Sequence, residues 1–271
     1  MREARFPVSV VIPAYNEASR IAASLRTIDT YARSISTPFE LIVVDDGSKD
    51  GTADVARANL PTASNVNARV LRYDTNRGKG YAVRHGLLDA RAPIALFSDA
   101  DQSTPIEEIV KLVGPIERGE TDVTFGSRAL NRGLIGVRQP LRRELGGRAF
   151  NLVLRTTTGL PFVDTQCGFK AFRMSVCRPL LESATIDGFG FDIELLYAAH
   201  RAQLRLQEIP VRWNHCEGSK VRFLSDGTRM LRDILTVRMR GASGFYDYGI
   251  HQAGAAARRE RVRPLPGRAL A

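Results

Sequence analysis

The chain has 271 residues, 44% of them hydrophobic, a formal charge of +10 and three cysteines. That length holds one large domain or two small ones, and the apolar content excludes wholesale disorder. No apolar run reaches the roughly 18 residues of a membrane span, and Pro13 and Asn16 break the first apolar stretch, so it does not read as a signal sequence.

Residues 8–12 form a near-continuous apolar run, as a strand covered on both faces does. They lead into Pro13, Tyr15 and Glu17. Helical spacing follows over 18–34, with Ile21, Leu25 and Ile28 on one face. Residues 39–44 read as a second strand that ends in Asp45 and Asp46, then a turn at Gly47 and a helix start. Residues 70–73 read as a third strand, followed by Asn76, Gly78, Lys79 and a helix over 81–90. Residues 93–97 form a fourth, and two carboxylates one residue apart, Asp99 and Asp101, close it. Pro105 opens the next helix, with Thr104 placed as its cap and Glu107 and Glu108 in the first turn.

This β-α alternation predicts an α/β fold: a mostly parallel sheet with helices on both faces. Neither a GxGxxG after the first strand nor a GxxxxGK[ST] is present. Polar residues stand instead at the carboxyl end of every strand, where open α/β sheets collect their ligands. Asp99 and Asp101 there make a hard, oxygen-rich site suited to Mg²⁺ or Mn²⁺, ions that complete their shell with substrate phosphates. Taken alone, the two acids fit turn and cap roles equally well.

In the second half, residues 123–125 read as a fifth strand ending at Arg128, and the arginine-rich stretch 130–147 as including a loop over the site. Residues 150–154 have helical periodicity, and 171–173 read as a strand. A helix opens near Asp192 and runs to about Ala202. Residues 206–213 form a late strand that Pro210 assigns to a sheet edge. Ser219 and Lys220 follow in a loop. Over 226–240, Met230, Leu231, Ile234, Leu235 and Val237 fall on one helical face, and Arg229, Arg232 and Arg240 on the other, with Arg238 able to snorkel. A basic amphipathic helix of this kind fits an interfacial membrane anchor, and equally a helix packed on its own domain.

From Arg222 onward there are 10 Lys/Arg and 4 Asp/Glu, a net +6, which points to an anionic partner. A specific nucleic-acid role is disfavoured: aromatic content is 7%, no helix-turn-helix, zinc or RNP-type motif is present, and the strand-end acids repel a phosphate backbone. Cys167, Cys177 and Cys216 make no metal pattern and read as free thiols in a reducing compartment. The domain expectation is one domain over 1–248, with a nucleotide-binding half at 1–128, an acceptor half at 129–221 and a basic amphipathic helix region at 222–248. Composition predicts a disordered basic tail over 249–271.

The motifs VVIPAYNE at 10–17, VDDGS at 44–48, NRGKG at 76–80 and DAD at 99–101 together resemble the family 2 glycosyltransferases of GT-A fold. DTQCGFK at 164–170, GFDIELL at 190–196 and EGSK at 217–220 resemble the branch that glucosylates polyprenyl (dolichyl-type) phosphates. The resemblance implies an inverting enzyme that moves glucose from UDP-glucose to a polyprenyl phosphate, as a cytoplasmic protein peripheral to the membrane's cytoplasmic face. The alternatives are a GDP-mannose donor or a non-lipid acceptor. It further implies that Pro13, Tyr15, Glu17, Asp46 and Lys79 hold the nucleotide, that Asp99 contacts ribose or sugar, and that Asp101, with Asp99 and Ser103, holds Mg²⁺ or Mn²⁺. An acceptor phosphate is already ionised and needs cationic positioning rather than a base. Arg128, Arg142, Arg143, Ser219 and Lys220 are the candidates, and Asp192 would touch sugar hydroxyls or act as base. Two departures stand out. Mannosyl-type relatives have Gln where Ser103 stands here, with Gln102 one place early. The eukaryotic glucosyl-type relatives carry an N-terminal membrane helix that this sequence lacks, which leaves attachment to the basic helix or a partner.

Overall fold

The computed structural model describes residues 8–137, 141–216 and 223–262. Strands β1 (Val8–Ala14) and β2 (Phe39–Asp46) are buried along their whole length, as their apolar composition dictates for the middle of a covered sheet. With β3 (Val66–Tyr73), β4 (Ile94–Ser98), β5 (Val123–Ser127), β7 (Phe169–Arg173) and β8 (Leu206–Pro210) they form one sheet in the order β3-β2-β1-β4-β7-β5-β8. All neighbours are parallel except β7, which runs antiparallel between β4 and β5. Pro210 lies on the edge strand β8, as expected. Trp213 does not continue it. Trp213–Asn214 forms β9, paired with β6 (Ile135–Val137) in a separate two-stranded ribbon.

Helices cover both faces. On one side, Ile21, Leu25 and Ile28 of α1 (Ile21–Ser34) share a core with the inward residues of β1, β2 and β4, and Leu112, Val113 and Ile116 of α4 (Ile109–Glu117) extend it over β5 and β7; the short α2 (Thr52–Ala58) joins them through Ala56. On the other lie α3 (Lys79–Asp89), α6 (Met174–Ser183) and α7 (Phe191–Arg201). Thr104 does not cap the helix after β4. Its hydroxyl lies 3.8 Å from Cys167 Sγ, so the turn is fixed by packing instead.

Three further helices lie among the described residues: α5 (Leu141–Thr158), α8 (Phe223–Ala242) and α9 (Asp247–Val262). The expected disordered tail after Tyr248 is corrected up to residue 262. Ala253 and Ala257 of α9 are buried against α6 and α7, because small side chains let that helix approach closely. Glu260 ties its end to the buried Arg173 at 3.1 Å. Residues 263–271 lie outside the described residues. The expected single apolar face of α8 is divided three ways. Ile234 and Val237 are buried, Met230 turns to a crevice, and Leu231 and Leu235 are exposed.

Candidate active site

The parallel run β3-β2-β1-β4 brings four strand ends side by side, and the loops that leave them enclose a crevice of about 1150 Å³. Pro13, Tyr15, Glu17, Asp46, Lys79, Asp99 and Asp101 all line it. The first two loops are stitched together: Asn16 N–H donates to Ser48 Oγ at 2.9 Å and Glu17 N–H to Thr52 Oγ1 at 2.7 Å. Asn16 makes the tight turn with φ 52°, a left-handed conformation that asparagine tolerates. Asp46 accepts from Arg77 N–H (2.7 Å), Gly78 N–H (2.9 Å) and Asn76 Nδ2 (2.8 Å), so its carboxylate fixes the loop that delivers Lys79. Gly78 is required there. Its φ is 104°, and a Cβ would sit 2.4 Å from the Asp187 carbonyl.

Asp99 and Asp101 have different surroundings. Asp99 pairs with Lys79 at 2.6 Å, and its N–H donates to the Gly168 carbonyl at 3.1 Å. A Cβ on Gly168 would lie 2.0 Å from Asp99 Oδ2, which explains the glycine of the 164–170 motif. Asp101 Oδ1 accepts the Ser103 N–H at 3.0 Å. Ser103 in turn takes the Asn214 N–H on its carbonyl at 2.8 Å, so β9 braces the turn. Among the described residues no cluster of three or more His, Cys, Asp and Glu side chains is placed to hold a metal. Carboxylate oxygens at a crevice with room for phosphates fit Mg²⁺ or Mn²⁺, which bind through one or two carboxylates plus substrate oxygens.

Behind this surface lies a second, buried pair. Lys170 of β7 meets Asp192 of α7 at 2.8 Å and also donates to the Cys167 carbonyl at 2.5 Å. Burial holds the Asp192 carboxyl above the usual range despite the charges of Lys170 and Lys79. Burial also pulls Lys79 down, but Asp99 and Asp192 outweigh it and keep the ammonium above its ordinary value. The four charges therefore form an alternating chain, Asp99–Lys79–Asp192–Lys170, with only its first two members on the crevice wall. Cys167 takes no part as a nucleophile: burial pushes its thiol up to about 11.

The expected acceptor cations are placed less simply. Arg128 is bidentate to Asp164 (2.7 and 2.8 Å) and lies 5.6 Å from the Trp213 ring; it is not among the side chains that line the crevice, though the Asp99 charge reaches it. The side chains of Arg142 and Arg143, and all of Ser219 and Lys220, lie outside the described residues. Sequence reasoning missed the wall opposite the strand ends. Asp187 and Phe189 reach it from the loop before α7, and Arg229, Asp233 and Arg240 from α8. Arg240 donates to Thr185 Oγ1, and Glu194 of α7 accepts the Thr185 and Ile186 N–H groups at 3.0 and 2.8 Å. Helical spacing had already put Arg229 and Arg240 on one polar face; only the packing of α8 shows that this face meets the crevice.

A mostly parallel sheet with an acid pair at its strand ends thus opens on a crevice large enough for a nucleotide-sized ligand. The family model described as Glycosyl transferase family 2 matches residues 9–181, and the chain belongs to that family. Over most of its length it is similar to proteins named dolichyl-phosphate beta-glucosyltransferase. That of Dictyostelium discoideum is 31% identical over 249 residues, covering 88% of this chain and 76% of the relative. That of Drosophila melanogaster is 36% identical, covering 86% and 74%, and the human protein is 34% identical, covering 88% and 76%. Among solved structures, glucosyl-3-phosphoglycerate synthase from Mycobacterium tuberculosis, in complex with Mn²⁺, UDP and glucosyl-3-phosphoglycerate, shares the fold with a TM-score of 0.63. It is 24% identical, and the match covers 87% of this chain and 81% of that one.

Proposed function

We propose that this glycosyltransferase moves glucose from UDP-glucose to a polyprenyl phosphate, with inversion, to give a β-linked lipid-phosphate sugar. The observation that carries the reading is the similarity to dolichyl-phosphate beta-glucosyltransferases across 88% of the chain. The site supports it chemically. Glu17 suits the uracil N–H and Tyr15 the face of the base, with Pro13 shaping the slot. Asp46 holds the loop that carries Lys79, and Lys79 with Asp99 faces ribose, sugar and diphosphate. Asp101 holds a divalent cation, Mg²⁺ or Mn²⁺, with Asp99 and Ser103 beside it. When bound, that ion neutralises the diphosphate and the charge developing on departing UDP.

The acceptor phosphate is a nucleophile without help from a base. What the chain supplies is cationic positioning, from Arg229 and Arg240 across the crevice together with Arg142, Arg143 and Lys220, with the Ser219 hydroxyl as a neutral hydrogen-bond donor. Arg128 acts at one remove by bracing Asp164 and the motif that contains Gly168. Asp192 likewise works through Lys79, as a positioning residue, rather than as the base. Attack opposite to UDP inverts the anomeric carbon. No helix among the described residues is long and apolar enough to cross a membrane. In this reading the polyprenyl acceptor is met by peripheral association, on the cytoplasmic face where UDP-sugars are found.

A transfer assay tests this. UDP-glucose, UDP-galactose, UDP-N-acetylglucosamine and GDP-mannose, each labelled in the sugar, are offered with polyprenyl phosphate, with and without Mg²⁺ or Mn²⁺. Metal-dependent label in the lipid phase from UDP-glucose is expected. Label from GDP-mannose alone would overturn the donor, and a water-soluble product would overturn the acceptor.

A further inference from the structure

Helix α8 has three faces with three environments. Ile234 and Val237 are buried against the domain, beside α7. Met230, Asp233, Thr236 and Arg240 line the crevice. The third face carries Leu231, Leu235 and Met239 at i, i+4 and i+8, exposed at 40%, 56% and 65%. That row runs about 12 Å along the helix, at 1.5 Å per residue. A solvated face is polar at these positions, and large apolar side chains arrayed in a row mark a surface that meets something apolar.

The surroundings say what. Arg232 and Arg238 are exposed on the same helix, and α5, which packs on α8, exposes Arg155 beside Leu152 and Val153. Aromatic Phe245 and Tyr248 are exposed just beyond the end of α8. Apolar side chains bordered by arginines and aromatics are the composition of a helix lying in the bilayer interface. A second copy seated on this face would set arginines against arginines, which costs affinity; anionic headgroups supply the complement.

We propose that the outward face of α8 docks on an anionic phospholipid surface. Because the opposite side of the same helix carries Arg229 and Arg240, docking brings the crevice to within one helix diameter, about 10 Å, of the headgroup layer. An acceptor phosphate then reaches the cations while its lipid chain stays in the bilayer, a consequence that rests on the acceptor reading given above. The docking itself does not depend on that reading.

The test is co-flotation of the full chain with phosphatidylcholine vesicles, with and without phosphatidylglycerol. It compares the wild type with the triple variant Leu231→Ser, Leu235→Ser, Met239→Ser and with the pair Arg232→Glu, Arg238→Glu. UDP binding and thermal melting confirm that each variant is folded. Each lost leucine-sized insertion weakens partitioning by more than about tenfold when fully buried, so the half-inserted triple variant is expected to lose at least about tenfold in vesicle binding. The charge-reversed pair loses binding only to vesicles that contain phosphatidylglycerol, and salt reproduces that loss. The triple variant also loses transfer to polyprenyl phosphate held in vesicles while keeping transfer to a short, water-soluble prenyl phosphate. Wild-type retention of the folded triple variant on vesicles overturns the docking face. So does a wild type that ignores anionic vesicles, or one that instead self-associates through these leucines. Normal docking with no transfer to any prenyl phosphate supports the face and overturns the acceptor reading.

Discussion

Strand β7 carries two buried cations three residues apart, and they serve opposite ends of the sheet. Lys170 lies in register with Phe97, near the carboxyl end of β4, and Arg173 with Ile94 at its start. Around Arg173 the charges are closed in. Its guanidinium donates to the Ile116 and Thr121 carbonyls at 2.8 and 3.0 Å and to Glu260 at 3.1 Å. It lies 3.5 Å from Asp122, which Arg205 also holds. Around Lys170 the charges continue outward through Asp192 and Lys79 to Asp99, and end at a crevice that Asp101 also lines. The same chemistry thus gives a clasp at one end and a graded, half-open site at the other. What separates them is access to solvent and ligand, not composition.

The comparison breaks most sharply at its open end. Asp101→Ala is expected to reduce metal-dependent transfer by about 10³-fold, the scale on which charge stabilisation at a leaving group is lost, with an unchanged melting temperature. Turnover that survives in this variant would remove Asp101 from the cation site. At the closed end the effect falls on stability instead. Arg173→Met leaves Asp122 short of a buried partner and should cost about 3–5 kcal/mol in denaturant unfolding, while transfer per folded molecule stays near wild type.

Acid sharpens the contrast. Burial raises Asp122 and Asp164, but hydrogen bonds and charge from Arg205 and Arg173, and from Arg128, outweigh it and hold both carboxyls below the usual range. A carboxyl depressed on folding contributes stability that is complete above its unfolded value, about 3.9, and is lost as pH falls through the folded one. Urea melts at a series of pH values should therefore show a plateau and then a fall below about pH 4. Arg128→Ala should flatten that fall. Asp192 has the opposite sign, since its carboxyl is raised, and contributes nothing to the acid loss. The smallest effect belongs to Glu260→Gln. Its partner Arg173 keeps two carbonyls and Asp122, so the loss, read from thermal melts, should stay under about 1 kcal/mol.

The strand ends were legible in the sequence because local rules determine them. A covered strand must be apolar throughout, and the residue after it must turn. Thus the polar groups at Glu17, Asp46, Lys79 and Asp101 mark one crevice once β-α alternation makes the strands parallel. Sequence alone also determined the amphipathicity of α8, with its arginines and leucines at helical spacing. Tertiary structure alone decided the rest. Reversed β7 enters between β4 and β5, putting Gly168 against Asp99 and Lys170 beneath Asp192. Long-range pairing chose that place, and no local pattern encodes it. The tail became α9 because Ala253 and Ala257 found α6 and α7 to pack against, and composition cannot register a partner that is distant in sequence. Periodicity gives a helix its faces but not their neighbours. Only packing could assign one side of α8 to the core, one to the crevice and one to the outside.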